Sequence, residues 1–171
     1  MRPVLPSGQD VSPRESAHRG AQAAGQQRPA VVIRPLVTDA DHLGLLAVLH
    51  DWYGIDAAIL SSRLDAVRQG GWQGVGMFAS ASGRLLGVAG WSVETRLCHG
   101  RYLYVDHFVV IETQRRLGLG GELLAYLARL ARQQRCERMI LDVARANEAA
   151  QAFWQREGFT AVGLHCSRAC G

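Results

Sequence analysis

The sequence predicts an α/β domain of the α+β kind, with its elements in the order βααβββαβαβ. Three observations lead there. Runs such as Tyr102 to Ile111 (YLYVDHFVVI) are rich in β-branched and aromatic residues and too short for ordinary helices, so they read as buried strands. Stretches with apolar residues at helical spacing alternate with them, most clearly Leu119, Leu123, Leu124, Leu127, Leu130 and Ala131. Glycine-bearing breaks, Gly70-Gly71, Ser82-Gly83 and Gly118-Leu119-Gly120, separate the two kinds of segment.

Taken in order, residues 1–29 hold four of the five prolines, with Ser, Gln, Gly and Ala and almost no large apolar side chain. Such a segment cannot bury enough surface to offset chain entropy, so it is expected to be a disordered extension, tag-like or mis-started, ahead of one domain at 30–171. It has no apolar core of a secretory signal, and Asp10 and Glu15 count against a transit peptide. Ala30 to Arg34 reads as the first strand. A helix capped by Thr38 or Asp39 runs through Leu43, Leu46, Val48 and Leu49 to about Tyr53, and a second spans about Asp56 to Gln69. Val75 to Ser80 and Leu85 to Glu94 form a hairpin across Ser82-Gly83. The strand Tyr102 to Ile111 leads through a glycine-rich turn into a helix ending near Gln134. Met139 to Ala144 is the next strand, Glu148 to Gln155 a short helix, and Thr160 to Cys166 a final strand.

Composition narrows the function classes. At 171 residues, with 48% apolar and 20% charged residues, the chain is ordinary for a globular domain with its own core. No apolar run approaches the roughly 18 residues needed to cross a bilayer, so a cytoplasmic protein without a membrane partner is expected. All 19 basic residues are arginine, so the protein offers no lysine ε-amine. Of the net charge of +4, Arg2, Arg14, Arg19 and Arg28 against Asp10 and Glu15 put +2 in the first 29 residues. The +2 that remains is too weak to argue for nucleic acid. Cys98, Cys136, Cys166 and Cys170 contain no CxxC pair, and His165, Cys166 and Cys170 at a frayed end do not make a metal site. No metal is expected.

Chemistry concentrates in Gln114-Arg115-Arg116-Leu117-Gly118-Leu119-Gly120-Gly121, where a strand hands over to a helix. Three glycines let the backbone approach an anion, the free N–H groups of the first helical turn point at it, and the helix dipole adds attraction. Arg115 and Arg116 bring side-chain cation to the same place. A dinucleotide fold wants Gly-x-Gly-x-x-Gly, and Leu123 stands where the third glycine would fall; a P-loop wants Gly-Lys-Ser/Thr, and there is no lysine. The pattern Arg-x-x-Gly-x-Gly from Arg115 to Gly120 resembles instead the pyrophosphate loop of the GNAT acetyltransferases. A second block, Asn147, Ala149, Ala150, Phe153, Trp154 and Gly158-Phe159, resembles that family's Asn-x-x-Ala-x-x-Phe-Tyr-x-x-x-Gly-Phe signature. Tyr104-Val105-Asp106-His107-Phe108-Val109-Val110 is similar to a strand of the diamine (spermidine/spermine) branch, and Arg135-Cys136 and Asn147-Glu148 also match it.

The resemblance implies a mixed sheet, antiparallel in its N-terminal half and parallel in its C-terminal half, flanked by helices. It implies an enzyme that uses acetyl-CoA to acetylate a primary amine of a small molecule, a diamine or polyamine within that branch, by direct attack on the thioester. Phe108, Val109 and Val110 would hydrogen-bond the pantetheine arm, with the Val110 N–H polarising the thioester carbonyl. Arg115, Arg116, Leu117, Gly118, Leu119, Gly120 and Gly121 would wrap the pyrophosphate, and Asn147 and Ala150 would hold the far side of the arm. Asp106 stands where the diamine branch carries a glutamate, and an amine with a pKa near ~10 needs such a carboxylate, relayed by water, to lose its proton. His107 should point to the opposite face by strand alternation and is read as structural rather than as a base.

Trp154 occupies the position that most of the family gives to a tyrosine. An indole N–H cannot transfer its proton, so the leaving thiolate would take one from water, and Trp154 would shape the acceptor pocket together with Tyr53. Two alternatives stay open: acetylation of a protein or peptide, and a non-catalytic acyl-CoA-binding module. A homodimer built through C-terminal strands is implied by the resemblance alone.

Overall fold

The sheet grows outward from its first strand in chain order. In the computed structural model, which describes residues 27–169, β1 (Val31–Pro35), β2 (Gln73–Ala79), β3 (Leu85–Arg96), β4 (Gly100–Val110) and β5 (Arg138–Leu141) lie side by side in that sequence. The disorder expected for the N-terminal extension falls, up to residue 26, outside the described residues, as does Cys170. The first three pairings are antiparallel and β4–β5 is parallel, so the predicted mixed sheet forms. A parallel neighbour requires a crossover, and α3 (Leu119–Gln133) supplies it.

Of the two caps offered for the first helix, Thr38 is the one made. Thr38 accepts from the Asp41 N–H at 3.1 Å, and Asp41 accepts from the Thr38 N–H at 3.1 Å, a reciprocal box that opens α1 (Asp39–Tyr53). Asp41 also takes both guanidinium nitrogens of Arg34 at 2.9 and 2.8 Å, which holds its carboxyl well below the usual carboxylate range. Asp56 caps α2 (Ala57–Gln69) by accepting from Ala58 N–H at 2.8 Å. The two helices bury Leu45, Leu49, Leu60 and Leu64 on one face of the sheet against Trp72, Val88 and Val109. On the other face α3 lays Leu119, Leu123, Leu127 and Ala131 over Met77, Trp91, Leu103 and Val105. Truncating a fully buried leucine such as Leu123 costs about 2–5 kcal/mol.

Two expectations change. β5 ends at Leu141 rather than Ala144, and residues 160–169 follow α4 (Glu148–Arg156) without regular structure, so the strand expected at Thr160 to Cys166 is not formed. Val162 and Leu164, the two large apolar residues of its alternation, are both 86% exposed. With no surface to cover and Gly163 between them, the pattern has nothing to hold it extended.

Candidate active site

The site is a place where the sheet comes apart. β4 and β5 are paired only from Tyr102 to Val105 against Arg138 to Leu141; beyond that β4 continues along β3 to Val110 while the chain after Leu141 turns away. The Ile111 N–H donates to the Leu86 carbonyl at 2.9 Å, which sets the phase of the β3 ladder. By the alternation of an antiparallel pair, Val109 faces β3 and the backbone groups of Phe108 and Val110 face the opening. The Val109 side chain, 5% exposed, packs with Leu45, Leu49 and Trp72 on the α1 and α2 side of the sheet. The opening is a crevice of about 90 Å³ that brings together Tyr53, Asp106, Phe108, Asn147, Ala150 and Trp154, all predicted as site residues.

At one end of this opening the chain makes its glycine-rich turn. A 3-10 turn, Glu112–Gln114, leads to Gly118, whose φ of 77° lies in the left-handed region that favours glycine. Gly118 caps α3 with no side-chain hydrogen bond, so the first-turn N–H groups of the helix remain available to an anion. Arg116 also has a positive φ, 64°, which costs about 1 kcal/mol in a residue with a Cβ. Arg115 stands at the start of this turn, and its side chain reaches back to β4. Its Nε donates to the Val110 carbonyl at 3.1 Å and its guanidinium lies 5.2 Å from the Trp52 ring centroid, so it braces the end of β4 against α1. Arg28, ahead of β1, is ion-paired with Glu122 in the first turn of α3.

Asp106 owes its position to a bulge. Gly90 pairs with His107 and Trp91 pairs with Val105, so Asp106 is an extra residue on β4 without a partner on β3. Leu103 and Val105 pack on the α3 face before the bulge, and Phe108 and Val110 do so after it. Strict alternation is broken in between. His107 therefore does not point away from Asp106, as expected, but shares its side of the sheet, with Nε2 at 3.2 Å from Asp106 Oδ2. His107 Nδ1 lies 3.2 Å from the Tyr53 hydroxyl. Trp72 backs the imidazole edge-on at 6.3 Å, and it can lie so close because β3 carries Gly90: a Cβ there would stand 2.2 Å from the indole. Burial lowers the pKa of His107, with the Asp106 charge opposing it, and burial together with the same charge pushes Tyr53 up to about 12.

Two further carboxylates accept from tyrosines of β4, and one of them, Asp142, lines the opening. Tyr102 donates to Glu94 at 2.5 Å and Tyr104 donates to Asp142 at 2.6 Å. The Tyr104 phenol is pushed up first by burial, then by the Asp142 hydrogen bond and the charges of Asp142, Asp106 and Glu94, so three carboxylates act on one ring. Asp142, which lines the crevice, and Tyr104 were both missed as site residues. Their signal was available: Asp142 directly follows a parallel strand, and ligands gather at the carboxyl ends of such strands.

Asn147 and Trp154 come from the last helix. Asn147 accepts from the Ala150 N–H at 3.0 Å and so caps α4 at the crevice wall. Trp154, 8% exposed, makes edge contacts with Phe108, Phe153 and Phe159 at 4.8, 4.9 and 5.1 Å between ring centroids. Phe153 in turn is 3.1 Å from where a Cβ on Gly120 would be, so the glycine-rich turn and α4 fit closely.

Comparison with known proteins gives one family. The model of the acetyltransferase (GNAT) family matches residues 46–159. Among solved structures, the chain is similar to a ribosomal-protein-alanine N-acetyltransferase from Brucella melitensis biovar Abortus 2308, at 19% identity and a TM-score of 0.69, covering 82% of this chain and 100% of that one. It is similar to a glucosamine-6-phosphate N-acetyltransferase from Arabidopsis thaliana, at 17% identity and a TM-score of 0.65 over 83% of this chain and 99% of the other. A third likeness is to AAC(6')-Iy in complex with a CoA-based bisubstrate analogue, at 19% identity and a TM-score of 0.66 over 82% and 99%.

Proposed function

The chain belongs to the acetyltransferase (GNAT) family, and from that premise we propose that it acetylates a primary amine of a small, cationic molecule, with Asp106 as the group that receives the amine proton. Acetyl-CoA supplies the activated acetyl group. The residues present fit this donor: the Phe108 backbone and the Val110 N–H face the crevice and would meet an extended arm, and the first turn of α3, without a side-chain cap, lies ready for its phosphates. Val110 N–H polarises the carbonyl under attack. Leu117, Leu119 and Gly121, with Arg116, Gly118 and Gly120, complete the phosphate turn.

In the transfer a C–N bond forms as the C–S bond breaks. The amine proton passes to Asp106, directly or through water, and the departing thiolate takes a proton from water because Trp154 cannot give one. The observation that supports a cationic acceptor is the pair of carboxylates that line the crevice, Asp106 and Asp142. A second positive centre on the acceptor, as in a diamine or polyamine, would find a counter-charge there.

The competing acceptor is a protein or peptide, and the Brucella protein is named for a ribosomal-protein alanine. The two separate by assay. Coenzyme A release is followed with mono-, di- and polyamines, amino sugars and short peptides, for the wild type and for Asp106→Asn. Turnover with a di- or polyamine, lost in the variant while acetyl-CoA binding is kept, is the expected result. Turnover on peptides alone would favour the other acceptor, and tight acetyl-CoA binding with no turnover would favour a binding module.

A further inference from the structure

The bulge that frees Asp106 also places a histidine where strand alternation forbids one. We propose that His107, fixed by Tyr53 in the tautomer with its proton on Nε2, is a positioning residue that orients the Asp106 carboxylate toward the acceptor amine. The inference rests on Asp106 as proton acceptor.

The geometry fixes the tautomer. Nε2 lies 3.2 Å from Asp106 Oδ2 and Nδ1 lies 3.2 Å from the Tyr53 hydroxyl. An ionised carboxylate only accepts, so the nitrogen facing it must carry a proton; in a neutral ring Nδ1 is then bare and must accept from Tyr53. Both neighbours agree with that assignment: burial keeps His107 neutral, and Tyr53 keeps its proton because its pKa is raised. A neutral imidazole already protonated at Nε2 cannot take the proton that Asp106 acquires. His107 is thus no relay; it fixes one carboxylate oxygen and leaves the other to the crevice.

The surroundings are built to hold this ring. Trp72 and Tyr53 each meet it edge-on, at 6.3 and 5.7 Å between centroids. Its outer side borders a second, mainly apolar cavity of about 300 Å³ between α1 and α2, whose charged lining residue is Arg63. The groups facing His107 are therefore Asp106 from its own strand, Tyr53 from α1 and Arg63 from α2. Around Asp106, His107 on its own strand lies 3.2 Å away, and Tyr53 from α1 and Asp142 share the crevice wall with it.

The test joins a spectrum to kinetics. Long-range ¹⁵N–¹H correlation of the imidazoles in the wild-type protein is expected to show His107 with its proton on Nε2, and a mixture of tautomers in Tyr53→Phe. His107→Phe is expected to lower kcat by about 10- to 100-fold with KM for acetyl-CoA unchanged, and His107→Gln, whose amide N–H can reach the same carboxylate, to recover most of it. A proton on Nδ1 in the wild type overturns the proposal. So does a His107→Phe enzyme within two-fold of wild type while Asp106→Asn is inactive. An active Asp106→Asn enzyme would instead remove the proton acceptor on which the inference rests, with the imidazole spectrum unchanged.

Discussion

Trp154 and His107 mark two different limits of reading residues from sequence. Trp154 was visible as a departure from the resembled motif, and the structure gives it company: Phe108, Phe153 and Phe159 surround it at the crevice wall. If its role is to shape and pack, Trp154→Phe keeps kcat within a few-fold and costs about 1–2 kcal/mol of stability, as steady-state kinetics and urea unfolding check together. His107 was misread because alternation was assumed through Asp106, and nothing in the string YVDHFVV marks where an extra residue enters. The bulge follows from pairing with β3, a long-range fact, where Gly90 makes room for Trp72. His107 also carries a pH signature. Its folded pKa lies below the ordinary value of ~6.5, so the folded state binds fewer protons there than the unfolded one. Its contribution is complete above that value and is lost as pH falls through the lowered pKa. His107→Gln should flatten the stability profile on the acid side of ~6.5, measured by urea midpoints across pH.

At the scale of elements, legibility followed local chemistry. Thr38, Asp56 and the glycines of the turn before α3 sit where capping and turn rules put them, so α1, α2 and α3 begin close to their expected positions. Asp41 shows how much one such position can hold: it closes the capping box and pairs with Arg34 while 6% exposed. Asp41→Ala is expected to cost about 2–3 kcal/mol, removing a cap and leaving Arg34 unpaired. Because the folded state holds this carboxyl well below the usual range, its stabilisation is present above an ordinary pKa of ~3.9 and lost as pH falls below it. At the start of α3, Gly118→Ala must hold a positive φ with a Cβ, at a cost of about 1 kcal/mol. It should weaken acetyl-CoA binding in calorimetric titration with less effect on acceptor KM. The final strand failed for the converse reason: Val162 and Leu164 alternate correctly, but a strand also needs a partner, and the local pattern is silent on that.

For the molecule as a whole, a mixed sheet, antiparallel then parallel and flanked by helices, was expected from the succession of elements together with the family resemblance, and the order β1-β2-β3-β4-β5 fulfils it. The splaying of β4 from β5, on which the site depends, is a long-range feature that no residue between Val105 and Leu141 announces. The C-terminal strand through which a dimer was expected does not form, since residues 160–169 have no regular structure. Instead His165 of that segment lies 3.0 Å from Asp142 at the crevice. A donor that binds only the folded chain raises its stability by mass action, so acetyl-CoA at about 100 times its Kd should add about 2.7 kcal/mol and raise Tm in a thermal scan.

The central claim is that this crevice transfers an acetyl group to a small cationic amine through Asp106. Its most direct test is the rate of acetylated product formation from acetyl-CoA and a diamine or polyamine, by wild type and by Asp106→Asn, with acetyl-CoA affinity measured for both. The account predicts turnover by the wild type and a fall of about 10²- to 10⁴-fold in the variant at unchanged acetyl-CoA affinity. Equal rates in the two proteins, or turnover confined to peptides, would contradict it.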